Sequence, residues 1–143
     1  MIGGRTGRAF VWLALGLPLG LLQACAPEGP AASHARLFAS DLSGGAKSCT
    51  ISKVNPTDGQ TSAVTMQVGN DGGWCGISLQ RGGSPYSTGL VTERSAHGSV
   101  VIHPVGDNTR IDYTPARGYR GTDTFAVKLI PGDAILKVSV TVS

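Results

Sequence analysis

The stretch at residues 108–127 constrains the fold most, because it predicts two strands joined by a corner. Residues 110–113 alternate between polar and apolar side chains, which is the pattern of a half-buried strand. Residues 115–121 contain one proline and two glycines, which break a strand, and residues 125–127 are apolar again. We therefore predict that one strand ends here, that the chain crosses between two sheets, and that the next strand begins.

Further short alternating segments, separated by turns, fill the chain after residue 46. The clearest is residues 136–142, where every second residue is apolar. Other strand candidates lie at residues 48–54, 63–68, 74–80, 90–92 and 98–103. Residues 69–73 have the composition of a hairpin turn. Because the chain contains 21 glycines and has no helix-length amphipathic segment outside its N-terminal leader, we predict an all-β antiparallel sandwich of seven to eight short strands.

Residues 1–24 have the features of a cleaved export signal. Two arginines precede a fourteen-residue apolar run at residues 9–22, which is too short to span a membrane and is typical of a secretory signal. The run ends in the sequence Leu-Gln-Ala-Cys at residues 22–25, which resembles the lipobox of bacterial lipoproteins. That resemblance implies cleavage before Cys25 and a lipid on its thiol. The alternative is an ordinary signal peptide with an unmodified Cys25.

The segment that follows predicts a flexible tether at residues 25–45, before a domain at residues 46–143. Pro27, Pro30 and paired alanines give the tether its composition. Ala26 follows the cysteine, at the position where, by the same resemblance, an aspartate would favour the inner membrane. We therefore expect the lipid to anchor the protein in the outer membrane, facing the periplasm.

The remaining two cysteines, Cys49 and Cys75, predict one disulfide bond. In an oxidising compartment a disulfide is the natural state of such a pair. It would join the first strand candidate to the third. The alternative is a redox or metal-binding thiol pair, but neither a CxxC motif nor a nearby histidine supports it.

Charge and motifs argue against several function classes. After Cys25 the chain has ten Lys or Arg and nine Asp or Glu residues and no basic run, so we predict no nucleic-acid partner. Motifs such as GxSxG, HExxH or a phosphate-binding glycine loop do not occur. His103 alternates with apolar neighbours, which suggests an exposed side chain. We predict no enzyme activity, no cofactor and no metal.

The C-terminal half resembles bacterial Ig-like and cadherin-like modules. The likeness rests on Gly-Ser-Val at residues 98–100, Tyr-Thr-Pro at residues 113–115 and Gly-Tyr-Arg-Gly-Thr-Asp-Thr-Phe at residues 118–125. It is good over residues 98–143 and weak over residues 46–97. The resemblance implies an Ig-like sandwich with a structural corner formed by Tyr113, Pro115, Gly118, Tyr119, Gly121, Asp123 and Phe125.

Within this corner, the resemblance makes Tyr119 the corner aromatic, comparable to the tyrosine corner of Ig sandwiches, and gives Gly118 and Gly121 the unusual dihedral angles. Asp123 has the same parity as Phe125 and therefore points inward. We expect its carboxylate to accept hydrogen bonds from the main chain of residues 120–122. The alternative is a Ca²⁺ ligand, as in some cadherin-like modules, although the other oxygen ligands that Ca²⁺ needs are not evident.

Trp74 is the best candidate for a contact surface. If the apolar residues of the strand at 74–80 face the core, Trp74 lies on the outer face, where an aromatic ring can contact a protein or a glycan. Tyr86, in the loop at residues 81–88, could join it. The alternative is that Trp74 covers a sheet edge or packs under that loop.

The predicted function is a non-catalytic, lipid-anchored module of the cell envelope that binds an unidentified protein or glycan or has a structural role. One alternative is a periplasmic inhibitor of a lysozyme or protease, with the loop at residues 81–88 entering the enzyme. A small envelope enzyme is a further alternative, for which no polar pocket can be assembled from the sequence.

Overall fold

The computed structural model describes residues 37–143, which form a two-sheet β-sandwich of eight strands, as predicted. The elements in chain order are α1 (Ala39–Leu42), β1 (Cys49–Ile51), β2 (Thr61–Val68), β3 (Cys75–Leu79), β4 (Thr88–Glu93), β5 (Gly98–Val105), β6 (Asn108–Pro115), β7 (Gly121–Ile130) and β8 (Ala134–Val142). Within this part of the chain, no helix has the length and apolar character needed to cross a bilayer. The predicted signal peptide at residues 1–24, the lipid on Cys25 and the tether up to residue 36 lie outside the described residues.

Strand β8 is central in the five-stranded sheet, whose order is β1-β2-β8-β7-β4. It forms an antiparallel hairpin with β7 and a parallel pair with β2, in which Val64 lies opposite Val138 and Met66 opposite Val140. The parallel pair departs from the predicted antiparallel sandwich. Because five strands, β3 to β7, lie between β2 and β8 in sequence, no hairpin fixes their relative direction.

The connection at residues 69–74 is a crossing between sheets, so the hairpin predicted there is wrong. Strand β2 already has neighbours on both edges, β1 and β8, whereas β3 pairs with β6 in the three-stranded sheet of order β3-β6-β5. The left-handed conformation of Gly72, with φ of 90°, and the Asp71 side chain shape this crossing. Asp71 accepts hydrogen bonds from the main-chain N–H groups of Gly73 and Lys47.

The corner at residues 116–120 joins β6 of the three-stranded sheet to β7 of the five-stranded sheet, as the sequence predicts. Gly118 has φ of 77° and Gly121 has φ of 137°, so both glycines adopt backbone conformations that side chains with a Cβ rarely reach. The predicted role of the two glycines in the corner is therefore confirmed.

Opposite edges of the sandwich are closed in two ways. On one side, the predicted disulfide between Cys49 of β1 and Cys75 of β3 joins the two sheets. On the other side, Gly89 of β4 lies against Ile102 of β5, and a Cβ at Gly89 would come within 2.9 Å of the Ile102 side chain. Between these edges, alternate residues of every long strand face inward. The largest fully buried side chains are Tyr113, Phe125, Met66, Ile111, Leu129 and Leu136.

Reduction of the Cys49–Cys75 bond is expected to lower the free energy of unfolding by about 3.5 kcal/mol, because the bond closes a loop of 26 residues in the unfolded chain. Denaturant unfolding of the same protein with and without reductant measures the difference without altering any core side chain. The variant with Cys49→Ala and Cys75→Ala should be insensitive to reductant. Equal unfolding free energies for the oxidised and reduced protein would contradict a stabilising role.

Candidate functional site

Asp123 lies at the centre of the loops at one end of the sandwich, here called the corner end (residues 69–74, 94–97 and 116–120). Its side chain is 5% exposed. The carboxylate accepts hydrogen bonds from the N–H groups of Ala96 at 3.0 Å, His97 at 2.8 Å and Thr124 at 2.9 Å, and from the Tyr113 hydroxyl at 2.9 Å. Asp123 therefore points inward as predicted, and it ties the 94–97 connection to both sheets.

The predicted partners of Asp123 are wrong, because the donors come from residues 96, 97 and 124 and not from residues 120–122. The reason is the direction of the side chain. It faces into the sandwich at the start of β7, where the connection from β4 to β5 crosses between the sheets. The turn at residues 120–122 stays on the outside, where Thr122 offers its carbonyl to Tyr119 instead.

The hydrogen bonds decide the charge of this cluster. Burial alone would raise the pKa of Asp123, but the donors at Ala96, His97, Tyr113 and Thr124 together hold that pKa below its usual value. Burial, and then the hydrogen bond to Asp123, raise the pKa of Tyr113. At neutral pH the pair is therefore a carboxylate and a neutral phenol.

The four donors also bear on the calcium alternative. Each donor points a hydrogen at the carboxylate, which engages the lone pairs that a cation would need. Among residues 37–143, no three His, Cys, Asp or Glu side chains gather as a possible metal-binding group. The geometry of Asp123 is that of a structural cluster.

Tyr119 and His97 form a stacked pair on the surface of the corner end. Their ring centroids are 4.0 Å apart and the rings are 8° from parallel. The Tyr119 hydroxyl donates to the Thr122 carbonyl at 2.6 Å, so its hydrogen bond runs forward along the chain. The tyrosine corner of Ig domains bonds to an upstream residue instead. Tyr119 is thus a corner aromatic with its own local geometry.

Asn70 joins the third loop to this pair. Its side-chain amide donates to the carbonyl of Ala116 at 2.7 Å and to the carbonyl of Tyr119 at 2.9 Å. The main chain of Ala116 in turn donates to the His97 carbonyl at 2.7 Å. The three loops of the corner end are therefore held together by side chains that bond to main-chain groups.

The remaining corner residues build the core beneath. Tyr113 lies parallel to Phe125, with centroids 5.7 Å apart. Its ring also covers Gly98, where any Cβ would collide with the ring atoms. Pro115 is buried at the end of β6. These residues, which the resemblance identified, are scaffold.

A second cluster lies on the outer face of the three-stranded sheet and is here called the outer shelf (Trp74, His103, Arg110 and Asp112). The Arg110 guanidinium carbon is 3.9 Å from the centroid of the Trp74 ring, and Arg110 Nε is 2.8 Å from Asp112 Oδ1 and 3.0 Å from Oδ2. His103 Nε2 lies 2.9 Å from Asp112 Oδ2. Arg110 and Asp112 are both buried, so their charges compensate each other away from water.

The shelf is covered by the chain's own residues 37–46, here called the arm. Trp74 Nε1 donates to the Ser43 carbonyl at 3.1 Å, and Arg110 Nη1 donates to the carbonyl of Asp41. Main-chain hydrogen bonds also join Trp74 to Gly44 at 3.0 Å and to Ala46 at 2.8 Å. Part of the predicted tether thus lies against the domain, although Leu37, Phe38 and Leu42 remain exposed.

The two residues predicted as a contact surface do not lie together. Trp74 is on the outer face, as predicted, but is half-buried beneath the arm. Tyr86 is 6% exposed and belongs to the core, and its main-chain N–H donates to Thr109 Oγ1 at 2.8 Å. The loop before it is a tight turn with two glycines, Gly82 and Gly83, at its tip, so it has no side chain there to insert into a cleft.

Sequence reasoning missed the shelf and the loop contacts of Asn70 and His97. A signal for the shelf exists: Arg110 and Asp112 alternate with the inward residues of β6, which places opposite charges on one outer face. Strand register then adds His103, which lies opposite Arg110 on β5. His103 is accordingly half-buried beside the Asp112 carboxylate and not simply solvated.

Asp123→Asn is expected to lower the free energy of unfolding by about 2–3 kcal/mol at pH 7, because it weakens charge-assisted hydrogen bonds to buried donors. The lowered pKa stabilises the folded state above the usual aspartate pKa of about 3.9, and this contribution is lost as the pH falls through the folded-state pKa. Denaturant unfolding between pH 7 and pH 2.5 should therefore show the difference from wild type shrinking below about pH 4.

Asp107→Asn is the matched control, because Asp107 is an exposed turn residue without a salt bridge among the described residues. It should change the unfolding free energy by less than about 0.5 kcal/mol. An Asp123→Asn protein as stable as this control at every pH would show that the carboxylate does not stabilise the corner end.

Comparisons with known proteins leave the site without an assignment. No protein-family model matches the chain, and no curated protein matches it. The residues of the corner end, the outer shelf and the sequence motifs therefore carry the functional conclusion.

Proposed function

We propose that the chain is a non-catalytic, lipid-anchored, Ig-like module of the bacterial cell envelope that binds a protein or a glycan or has a structural role there. The lipobox-like residues 22–25 support the lipid anchor on Cys25, and the absence of an aspartate at Ala26 supports the outer membrane. The Cys49–Cys75 disulfide fits an oxidising compartment such as the periplasm. The corner residues support the Ig-like relationship through their resemblance.

The docked arm is the observation that carries this proposal. The arm lies on the anchor side of the domain in sequence, and the outer shelf binds it through carbonyl groups, an indole N–H and a guanidinium. Such contacts recognise main chain and are therefore suited to fixing a linker in place. Trp74 accordingly acts as a clamp for the anchored end of the chain.

The arm runs along the sandwich from one end toward the other. Its first described residue, Leu37, packs at Gly106 in the turn between β5 and β6, and its last, Ala46, pairs beside the start of β3. The β5–β6 turn and the corner end are at opposite ends of the strands β5 and β6. The arm therefore begins at the end of the sandwich remote from the corner and joins the corner end only at residues 71–74, so that the loops at residues 94–97 and 116–120 stay open to a partner.

Cys25→Ala is expected to abolish lipidation and to leave the precursor uncleaved, because the lipidated thiol is what the lipoprotein peptidase recognises. Mass spectrometry of the protein from envelope fractions and its distribution between detergent and aqueous phases give the result. Wild type treated with globomycin should resemble the variant. Unchanged processing and unchanged detergent partition in Cys25→Ala would contradict the anchor.

Trp74→Ala is expected to release the arm without unfolding the sandwich. Loss of about 1–2 kcal/mol of local contacts should raise the rate of trypsin cleavage after Lys47 by about five- to thirtyfold. Leu90→Ala, which removes an exposed apolar side chain from the other sheet, is the control and should leave that rate unchanged. A Trp74→Ala protein cleaved at the wild-type rate would show that the shelf does not hold the arm.

A further inference from the structure

Three arginines at the corner end have no acidic partner. Arg94 lies in the 94–97 connection, and Arg117 and Arg120 lie in the 116–120 corner; all three are exposed, and none forms a salt bridge within residues 37–143. The nearby acids are already engaged: Asp71 by main-chain N–H groups and Asp123 in its buried cluster. Both carboxylates keep their negative charge in these hydrogen bonds, but the three arginines outnumber them, so this end of the domain has a net positive charge.

The stacked rings of His97 and Tyr119 lie among these arginines. His97 is exposed, so the ring face turned away from Tyr119 is open to a ligand. The pair is held in place from below, because Asp123 binds the His97 main chain and Asn70 binds the Tyr119 carbonyl. A surface fixed in this way loses little conformational entropy when it binds a partner.

Two open clefts lie beside the loops that carry the stacked pair. One, of about 410 Å³, is lined by residues that include Arg94, Ser95 and Gly98, which flank His97 in sequence. The other, of about 600 Å³, is lined by residues that include Asn70, Asp71 and Arg117, and also by Gly118, which precedes Tyr119. Each cleft thus contains an arginine, and its lining includes a residue next in sequence to one of the two stacked rings.

We propose that the corner end binds an acidic polysaccharide, a specification that rests on the proposed function as an envelope binding module. A chain of sugars is long enough to reach both clefts, and its carboxylate or phosphate groups pair with Arg94 in one cleft, with Arg117 in the other and with the exposed Arg120 of the corner. The flat apolar face of a sugar ring packs on His97. Among the exposed large apolar side chains of residues 37–143, only Val91 lines one of the two clefts, so the surface has few of the apolar anchors of a protein interface.

The test uses the full chain, purified in detergent, and fluorescently labelled oligogalacturonate as the probe. Fluorescence anisotropy should show binding that weakens with added salt. The double variant Arg117→Gln/Arg120→Gln should lose about tenfold or more in affinity, and His97→Ala about threefold or more. The double variant Arg81→Gln/Lys128→Gln removes the same charge from salt-bridged residues at the other end and should bind like wild type.

Wild-type affinity in Arg117→Gln/Arg120→Gln, or an equal loss in the control variant, would overturn the site. Binding of polyglutamate or glycerol phosphate as tight as that of oligogalacturonate would overturn the polysaccharide and indicate an acidic protein or a lipid headgroup. These results are independent of lipidation: a protein that is anchored through Cys25 but does not bind the glycan would reject only the ligand. Glycan binding by a protein that is never lipidated would reject only the anchor.

Discussion

The buried carboxylate of Asp123 is the interaction on which the rest of the domain depends. It belongs to β7 of one sheet, accepts a hydrogen bond from Tyr113 of the other sheet, and binds the main chain of the connection that passes between them. A charge removed from water costs several kcal/mol unless it is fully hydrogen-bonded, and here four donors meet that condition. Any other arrangement of these loops would leave the buried charge without its donors, and this energetic cost favours the observed one.

The hydrogen bonds of Asp123 also fix the position of the aromatic pair on the surface of the corner end. The same hydrogen bonds that satisfy Asp123 position His97, and His97 stacks on Tyr119, whose main chain is held by Asn70. At the other end of the sandwich the arm meets the β5–β6 turn and then runs to the outer shelf. The arm thus begins at one end of the sandwich and the stacked pair lies at the other, and the core between them is closed at one edge by the Cys49–Cys75 bond.

Features carried by local sequence were predictable. Period-two alternation located the strands, glycines at residues 118 and 121 located the corner, and the parity of Asp123 gave its inward direction. The disulfide followed from the number of cysteines. Each of these inferences depends on residues close together in the chain or on a pairing with one solution.

Features that depend on distant residues were not predictable. Two of the four donors to Asp123, His97 and Ala96, lie 26 and 27 residues away, and nothing in residues 120–123 indicates them. The arm has no strand periodicity, so its main-chain pairing with Trp74 could not be read from composition. Tyr86 follows a glycine-rich turn typical of a surface loop, yet the chain returns its side chain to the core. The direction of the β2–β8 pair is likewise a result of packing.

Whether the ionised Asp123 carboxylate holds the corner end together is tested most directly by its pKa in the folded protein, measured by NMR titration of the carboxyl carbon. If four hydrogen-bond donors outweigh burial, that pKa lies below the usual aspartate value of about 3.9. A pKa above that value would mean that burial prevails, that the carboxyl group protonates readily, and that it does not hold the two sheets and the corner end together.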